Sequence, residues 1–300
     1  MSKFDKEYLK LCKKILEEGK KVQNRTGIDS IKIPSYNFHF DLSDEFPMLT
    51  TKQVFYKNAI LEMLWFYQAQ SNDVRWLQER GNHIWDEWEI DENGLWHATQ
   101  NVINEEGILE KKDIVKDFGK ENAHTIGTAY GYIVNRYKLI DKLIDRLKNN
   151  PTDRRMIMSL WQDEFLDTAV LPSCVWSSEW DVTDDKINLL VHQRSSDVPL
   201  GLPFNITQYA TLQSMIAQVT NLKVGTMDWS IKDAHIYENQ IPGIYEQIER
   251  GETKEDLPAP VLWLNPEINN FYDFDNSRKL KDIKVRNYKH HGKISFPIAK

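Results

Sequence analysis

Apolar residues recur at helical spacing in several stretches of the chain. In the first stretch, lysines and glutamates separate the apolar positions, which predicts an amphipathic helix over about residues 4–19. The second stretch, at 56–67, is apolar on nearly every side and predicts a buried helix. The same spacing predicts further helices at about 72–80, 137–147, 205–219 and 236–250.

A second pattern, the alternation of apolar and polar positions, predicts strands. Residues 31–42 alternate around Pro34, and the segments 175–182 and 187–193 flank a polar turn that is typical of a hairpin. Shorter strands are predicted at 156–161, at 261–264 and near the C-terminus. The strands cluster without regular βαβ alternation, which favours an α+β fold with a mixed β-sheet packed with helices.

Residues from about 89 to 122 interrupt both patterns, because this stretch is polar, poorly periodic and rich in Asn, Glu, Lys and Gly. It is predicted to be an exposed excursion and is assigned no chemistry. A length of 300 residues is near the upper limit for one hydrophobic core. We therefore expect a single catalytic domain over residues 1–300, with a variable excursion at about 89–122.

Composition and charge exclude several classes of protein. Hydrophobic residues make up 41% and charged residues 28% of the chain, a balance typical of folded globular proteins. A net charge of −7 argues against a broad nucleic-acid-binding surface and leaves room for a local anion site. The sequence has no apolar run of roughly eighteen residues to span a membrane. Its charged N-terminal segment does not match a secretion signal.

The two cysteines carry different expectations. Cys12 falls on the apolar stripe of the first helix and is predicted to be a packed core thiol. Cys174 sits where a proline-containing loop enters a strand, and from this position alone an inert thiol and a nucleophile both remain open. Their separation fits neither a zinc site nor a disulfide framework, so we expect a reducing, cytoplasmic setting and no metal site.

Three further positions carry candidate chemistry. Glu62 lies in the apolar helix, where a buried carboxylate is either half of an ion pair or an acid with a raised pKa. In the polar loop at 193–205, Arg194 could hold a phosphate and also stabilise a thiolate at Cys174. Asn205 offers a donor and an acceptor that match the O4 and N3–H edge of uracil, although capping of the following helix explains it equally well.

The motifs around these residues resemble the thymidylate synthase family, which includes the pyrimidine hydroxymethylases. The strongest likeness is in three runs, LPSC at 171–174, QRSSDVPLGLPFNITQY at 193–209 and DAHIY at 233–237. Shorter motifs follow the family's order: NRTG at 24–27, LTTK at 49–52, ILEMLWF at 60–66, IWDEW at 84–88, YG at 130–131 and DRRM at 153–156. The resemblance covers nearly the whole chain except the excursion.

The resemblance implies the reductive methylation of dUMP to dTMP with 5,10-methylenetetrahydrofolate as cosubstrate. Cys174 would add to C6 of uracil, because C5 is a poor nucleophile until a thiolate has added at C6. The resemblance gives Glu62 the proton transfers around O4 and the folate nitrogen, and it places Tyr130 near the water that removes the C5 proton. The implied catalytic residues are Cys174, Glu62, Tyr130, Asn205 and Asp197.

The same resemblance implies a homodimer and the residues that bind each ligand. For dUMP these are Arg25, Arg154, Arg155, Arg194, Ser195, Gln193, Asn205, His235 and Tyr237. Of these, Arg154 and Arg155 would reach the phosphate across the subunit interface. For the folate the implied contacts are Lys52, Ile84, Trp85, Trp88, Asp197, Leu200, Gly201 and Phe204. Nucleic acid and membrane are not expected partners.

The chain departs from the family pattern at a few positions, which are Val175 and Gln240 in place of the usual His, Lys232 in place of Gly, and Lys300 at the end of the tail 296–300. This tail resembles a closing segment that caps the folate. A looser closure would let water capture the methylene intermediate, so a dUMP hydroxymethylase that makes 5-hydroxymethyl-dUMP stays open as the alternative. A non-catalytic nucleotide-binding or RNA-binding protein is a third hypothesis, which the presence of all the implied reactive groups disfavours.

Overall fold

The computed structural model describes residues 1–24, 26–103 and 109–298. The helices are α1 (Lys3–Glu18), α2 (Tyr56–Tyr67), α3 (Arg75–Gln78), α4 (Gly131–Tyr137), α5 (Leu139–Asn149), α6 (Gly201–Val219) and α7 (Ile241–Thr253). The strands are β1 (Lys20–Val22), β2 (Ser30–Asp41), β3 (Leu95–Ile103), β4 (Leu109–Asp117), β5 (Ile157–Ser159), β6 (Val175–Thr183), β7 (Lys186–Gln193), β8 (Ser196–Asp197), β9 (Lys223–Tyr237), β10 (Val261–Leu264) and β11 (Ile283–Arg286).

One mixed sheet organises the described part of the chain. Its seven strands lie in the order β1-β2-β9-β7-β6-β5, with the short β8 beside β9. Strand β9 pairs antiparallel with β2 and parallel with β7 and β8, whereas the other neighbours pair antiparallel. Strand β3 pairs with β4, and β10 pairs with β11, in two separate small sheets. The predicted α+β class with a mixed sheet is confirmed.

Strand β9 lies at the centre of this sheet. Every second residue from Gly225 to Ile231 is buried, so one face of the strand packs into the core. The ladder between β2 and β9 skips Pro34, which has no N–H to donate, and Asp233 across from it takes a left-handed φ of 56°. The far end of β9 delivers the DAHIY motif to the same edge at which β7 ends.

Helix α6 packs on the sheet, and α2 packs on α6. Both helices are buried along most of their length, as their apolar sequences predict. Several polar side chains inside this layer are paired: the hydroxyls of Tyr67 and Tyr209 lie 2.5 Å apart, and the Gln213 Nε2 atom donates to the carbonyls of Ile187 and Thr226 on the sheet. Two of the catalytic candidates lie on these helices, Glu62 on α2 and Asn205 on α6.

Helix α2 and strand β10 are confirmed at their predicted bounds, and α1 and the hairpin β6–β7 are confirmed with boundaries shifted by one residue. The helix predicted at 236–250 is wrong at its start, because β9 continues to Tyr237 and α7 begins at Ile241. The helix predicted at 137–147 is two helices, since Lys138 takes a left-handed φ of 52° between α4 and α5. The helix predicted at 72–80 is confirmed only over Arg75–Gln78.

The excursion at 89–122 contains the hairpin β3–β4, in which Leu95 pairs with Asp117. This hairpin was not predicted, because β4 is rich in charged residues and neither strand has a clear period-2 alternation. Much of β4 is exposed, as the composition indicated. Within the described ranges, no helix is both long and apolar enough to cross a membrane.

Candidate active site

A cavity of about 1500 Å³ lies between the end of β7, the start of α6 and the hairpin β3–β4. It brings together most of the residues that the sequence analysis singled out. Those on its wall are Cys174, Glu62, Tyr130, Asn205, Asp197, Gln193, Arg194, Ser195, His235, Tyr237, Ile84, Trp85, Trp88, Leu200, Gly201 and Phe204. Three predicted residues, Lys52, Arg154 and Arg155, are not on the wall. Arg25 and Lys300 fall outside the described residues.

Cys174 immediately precedes β6 and has a cation beside its thiol. The Arg194 Nη2 atom lies 3.8 Å from Cys174 Sγ. The Arg194 guanidinium is held in turn by the carbonyl oxygens of Pro172 and Ser173, at 2.7 and 3.0 Å. A backbone hydrogen bond of 2.8 Å from Arg194 N to the Cys174 carbonyl keeps the two residues side by side. Because a neighbouring cation favours a thiolate, this geometry favours a nucleophile over an inert core thiol.

Tyr130 lies on the other side of Cys174. Its hydroxyl oxygen accepts a 2.9 Å hydrogen bond from the Cys174 backbone N–H, and its ring stacks on Phe66 at 4.3 Å. The backbone turns sharply here: Tyr130 has φ 46°, and a Cβ at Gly131 would lie 1.9 Å from the Ser71 carbonyl oxygen. Burial raises the pKa of Tyr130 well above 10.0, so the phenol keeps its proton. A protonated hydroxyl is therefore fixed next to the thiol.

Glu62 lies on α2 with its carboxylate buried in the cavity wall. One oxygen accepts a hydrogen bond from Trp85 Nε1 and the other accepts from Gln208 Nε2. No salt bridge among the described residues involves Glu62, so the ion-pair alternative is wrong. Burial raises the pKa of Glu62 from 4.5 to about 7, although both hydrogen bonds act in the opposite direction. Glu62 is thus an acid that can gain or lose a proton near neutral pH.

A chain of side-chain hydrogen bonds fixes the direction of the Asn205 amide. Trp229 Nε1 donates to Gln193 Oε1 at 2.9 Å, and Gln193 Nε2 donates to Asn205 Oδ1 at 3.1 Å. Asn205 Nδ2 donates to Gln208 Oε1 at 3.2 Å, and Gln208 Nε2 donates to Glu62. An indole can only donate and an ionised carboxylate can only accept, so the two ends set the direction of every amide between them. Asn205 lies inside α6, and the capping alternative is wrong.

Asp197 on β8 is a second buried carboxylate on the wall. It accepts hydrogen bonds of 3.1 Å from Leu200 N and from Gln240 Nε2, and burial raises its pKa. Lys52 lies behind this region, where its ammonium donates to the Pro199 carbonyl. Burial lowers the pKa of Lys52 from 10.5 to about 8. The structure therefore places Lys52 near the Asp197 loop and not on the cavity wall, because its side chain is used in that buried contact.

The wall near Asp197 is mainly aromatic and aliphatic. Trp85 and Trp88 meet edge to face at 5.4 Å, and the first turn of α6 adds further apolar surface. The apolar side chains here are Ile84, Trp85, Trp88, Leu200, Phe204 and Ile298. Flat apolar walls with one buried carboxylate fit a planar heterocycle that carries N–H donors.

Other residues on the cavity wall are polar. His235 and Tyr237, at the end of β9, pack edge to face at 5.0 Å, and His235 Nδ1 lies 3.1 Å from the Asp233 carbonyl oxygen. His235 pairs with Asp197 across the β8–β9 ladder, so these groups lie next to the Asp197 carboxylate. Together with Arg194 and Ser195 they form a polar set suited to a sugar and an anion. Arg154 and Arg155 are exposed and lie outside this wall, so within one chain the structure does not bring them to the site.

Sequence reasoning missed several residues of the site. The hairpin contributes wall residues at 96–99 and 113–116, and no local pattern in the excursion indicated them. Gln208 and Trp229 were also missed, although a glutamine one turn after Asn205 in an apolar helix is a detectable signal. The described residues contain no group of three or more His, Cys, Asp or Glu side chains that could hold a metal ion.

Comparison with known proteins gives consistent results. A sequence profile of the family described as thymidylate synthase matches residues 6–300. The chain is 44% identical over 299 residues to the thymidylate synthase of Clostridium beijerinckii, with full coverage of both chains. It is 38% identical to thymidylate synthase 1 of Bacillus subtilis strain 168, again over both full lengths. The fold is similar to the solved structure of thermostable thymidylate synthase A from Bacillus subtilis, with a TM-score of 0.82, 36% identity and full coverage of both chains.

Proposed function

The chain belongs to the thymidylate synthase family, and we propose that Cys174 is the nucleophile of its reaction. The enzyme is a methyltransferase that converts dUMP to dTMP with a folate cosubstrate. The observation that carries the proposal for Cys174 is its contact with Arg194, 3.8 Å from the sulfur, on the wall of the cavity. This contact supports a thiol that is activated by a cation, and the same cation is suited to phosphate.

The proposed reaction begins when Cys174 Sγ bonds to C6 of uracil and the C5–C6 electron pair moves towards C4–O4 as an enolate. C5 then attacks the methylene carbon of 5,10-methylenetetrahydrofolate, which supplies the one-carbon unit and, in the last step, a hydride. As C5 attacks, the bond from the methylene carbon to the folate N10 breaks. The C5 proton then leaves to a water beside Tyr130, and its electron pair expels the folate N5, which leaves a methylene group on C5. Hydride transfer from the folate to this group gives the methyl group and dihydrofolate, and the C5–C6 double bond forms again as the thiolate leaves C6. Glu62, with a pKa of about 7, exchanges protons with O4 and with the folate nitrogen.

Asn205 is proposed to select uracil over cytosine. Its second amide N–H can donate to O4, and Oδ1 can accept from N3–H. Cytosine presents these donors and acceptors in reverse, so the amide would have to turn over. If the Asn205 amide turned over, the Gln193 and Gln208 amides would have to turn as well. The Gln193 NH2 group would then face the Trp229 N–H, and the Gln208 carbonyl oxygen would face the Glu62 carboxylate. This one-way chain of hydrogen bonds supports dUMP as the substrate.

The remaining dUMP contacts are proposed from their places in the cavity. Ser195 and Arg194 hold the phosphate, and His235 and Tyr237 hold the 3′-hydroxyl, since these polar side chains all line the cavity. Gln193 acts through Asn205, to which it donates at 3.1 Å. Arg25, from the NRTG motif, is proposed as a further phosphate ligand.

We propose a homodimer in which Arg154 and Arg155 complete the phosphate site of the other subunit. Both arginines are exposed and outside the cavity of their own chain. Next to them, Ile157 on β5 and Trp176 on the paired strand β6 are 51% and 36% exposed, which offers a second copy apolar surface to bury.

A complementation experiment tests this arrangement. Cys174→Ala and the double variant Arg154→Ala/Arg155→Ala should each be nearly inactive alone. Hybrid dimers formed after mixing have one complete site each, so activity should return to about one quarter of the wild-type value per total protein. Mixed variants that stay as inactive as the separate ones would contradict the exchange of arginines between subunits.

The cosubstrate is proposed to be 5,10-methylenetetrahydrofolate, held by Asp197 and the apolar wall. The names of the relatives favour methylation, and the hydroxymethylase alternative is not favoured. The docked position of Phe296, which is buried, and of Ile298 on the cavity wall supports a site that excludes water. Neither Cys12 nor Cys174 is in a disulfide in the described part of the chain, which supports the proposal of a reducing, cytoplasmic setting.

Covalent capture of 5-fluoro-dUMP tests the role of Cys174. Fluorine stands where the C5 proton would leave, so the enzyme should accumulate a covalent complex with inhibitor and folate that intact-protein mass spectrometry detects. Cys174→Ser should abolish capture. The matched control is Cys12→Ala, which should retain it, because Cys12 is buried and its pKa is raised to about 12. Undiminished capture by a folded Cys174→Ser variant would remove Cys174 from this role.

A further inference from the structure

Gln240 is a fully buried amide in the short turn Glu238–Gln240 between β9 and α7. The sequence analysis marked it as a departure from the family, in which His is usual at this position. It is not on the cavity wall, and the proposed chemistry does not use it. Its contacts nevertheless join three separate parts of the site.

Both polar atoms of the Gln240 amide are engaged. Nε2 donates to the Asp197 carboxylate, at 3.1 and 3.3 Å from its two oxygens, and to the Pro297 carbonyl at 3.1 Å. Oε1 accepts a 3.1 Å hydrogen bond from the backbone N–H of Tyr237. A primary amide has two N–H donors and an acceptor, so it satisfies all three partners together, whereas a neutral imidazole has one N–H. Gln240 therefore links the Asp197 carboxylate, the end of β9 and the tail.

The tail segment at 293–298 is packed against the same region. Phe296 is buried, with the Lys52 ammonium 4.7 Å from its ring centroid. On α7, a Cβ at Gly243 would lie 2.6 Å from the Phe296 ring, so the absence of a side chain there makes room for the ring. Beyond this anchor the chain passes Gln240 and reaches the cavity wall at Ile298. The hydrogen bond from Gln240 to the Pro297 carbonyl thus fixes the backbone directly before Ile298, which is on the cavity wall.

We propose that Gln240 is a positioning residue that couples the tail segment to Asp197, so that the tail and the folate end of the cavity are held as one unit. The coupling to folate rests on the proposed function, in which Asp197 faces that ligand. If the tail detaches, Gln240 loses the contact that orients one of its N–H groups, and Asp197 loses a fixed donor. If the Gln240 side chain is removed, the Pro297 carbonyl loses the side-chain hydrogen bond that it accepts.

The test compares Gln240→Met with Gln213→Met. Methionine has nearly the same length but donates no hydrogen bond. Gln213 is also a fully buried amide with two donor contacts, to the carbonyls of Ile187 and Thr226, and it lies away from the tail and off the cavity wall. The pair therefore separates a local effect on the tail from a general loss of buried hydrogen bonds.

The first readout is independent of activity. Tryptic cleavage after Lys293, followed by mass spectrometry, reports how often the tail detaches, because proteolysis tracks the open population when opening is fast. Loss of the hydrogen bond that the buried Gln240 amide donates to the Pro297 carbonyl should raise the cleavage rate of Gln240→Met about tenfold, with the Gln213→Met rate near that of wild type. Equal rates in wild type, Gln240→Met and Gln213→Met would overturn the tie to the tail.

The second readout compares the change in KM for the folate with the change in KM for dUMP. Gln240→Met should raise KM for the folate about tenfold and raise KM for dUMP by less, because the Asp197 side chain loses a donor whereas Tyr237 loses only the acceptor of its backbone N–H. A faster cleavage with an unchanged folate KM would overturn the coupling to Asp197. If the wild-type enzyme made no dTMP, the proposed function would fail, while the cleavage experiment would still decide the tie between Gln240 and the tail.

Discussion

Replacing Glu62 with glutamine should change how the stability of the protein depends on pH. Glu62 is buried, and its pKa is raised from 4.5 to about 7 in the folded protein. A carboxyl group with a higher pKa in the folded than in the unfolded state binds its proton more tightly when folded. Between pH 4.5 and about 7, this group therefore makes the free energy of unfolding fall as the pH rises. Glutamine does not titrate, so the variant lacks this fall.

The size of the effect follows from the pKa difference. A change from 4.5 to about 7, at about 1.4 kcal/mol per pKa unit, corresponds to about 3 kcal/mol. This value already contains the opposing contributions of Trp85 and Gln208, which donate hydrogen bonds to the carboxylate and lower its pKa. The full stabilising contribution is present below about pH 4.5 and is lost as the pH passes about 7.

Urea unfolding of wild type and Glu62→Gln, at about pH 4.5 and about pH 8 and at equal protein concentration, measures the contribution of Glu62 to the free energy of unfolding. The difference in unfolding free energy, wild type minus variant, should fall by about 3 kcal/mol between the two conditions, since titrations common to both proteins cancel. Glu249→Gln, on the exposed side of α7, is the matched control for the loss of a surface carboxylate and should show no comparable change. A difference for Glu62→Gln that is the same at both pH values would refute the assignment of Glu62 as a buried acid.

Three further substitutions test the site and its backbone. Asn205→Asp should shift preference from dUMP towards dCMP in competition assays, because a carboxylate accepts from the cytosine amino group, and an unchanged preference would mean that the base is recognised elsewhere. Trp229→Phe removes the donor to Gln193 and should weaken discrimination against dCMP about tenfold; a change in KM alone, at constant discrimination, would contradict the orienting role. Gly131→Ala should lower the free energy of unfolding by at least about 2 kcal/mol in urea titrations, since its Cβ would lie 1.9 Å from the Ser71 carbonyl, and a variant as stable as wild type would show that this contact relaxes freely.

The sequence allowed the reactive residues to be predicted better than the way they are held. The pairing of Cys174 with Arg194 follows from motif and chemistry, and the structure confirms their contact at 3.8 Å. For Glu62 and Asn205 the sequence left two alternatives each. Burial without an ionic partner decides the first, and the earlier start of α6 decides the second. Both decisions depend on tertiary packing, which residue type and spacing do not report.

The parts that escaped prediction have physical reasons. Strand β9 contains Gly225 and two aspartates, which have low strand propensity, although its buried positions alternate regularly. Its stability comes from neighbours on both sides, and these are distant in sequence. In the hairpin β3–β4, β4 is charged and mostly exposed and β3 lacks a regular alternation, so the pairing has no clear hydrophobic signature. The links made by Gln208 and Gln240 join residues far apart in the chain, and only the folded structure brings them together.

The central claim is tested most directly by the product of the reaction. The enzyme is incubated with dUMP and 5,10-methylenetetrahydrofolate, the nucleotide is identified by mass, and dihydrofolate is followed by its absorbance. We predict dTMP and dihydrofolate in equal amounts, because the folate supplies both the one-carbon unit and the hydride. Formation of 5-hydroxymethyl-dUMP without dihydrofolate would contradict reductive methylation and would show that water reaches the intermediate before the hydride does.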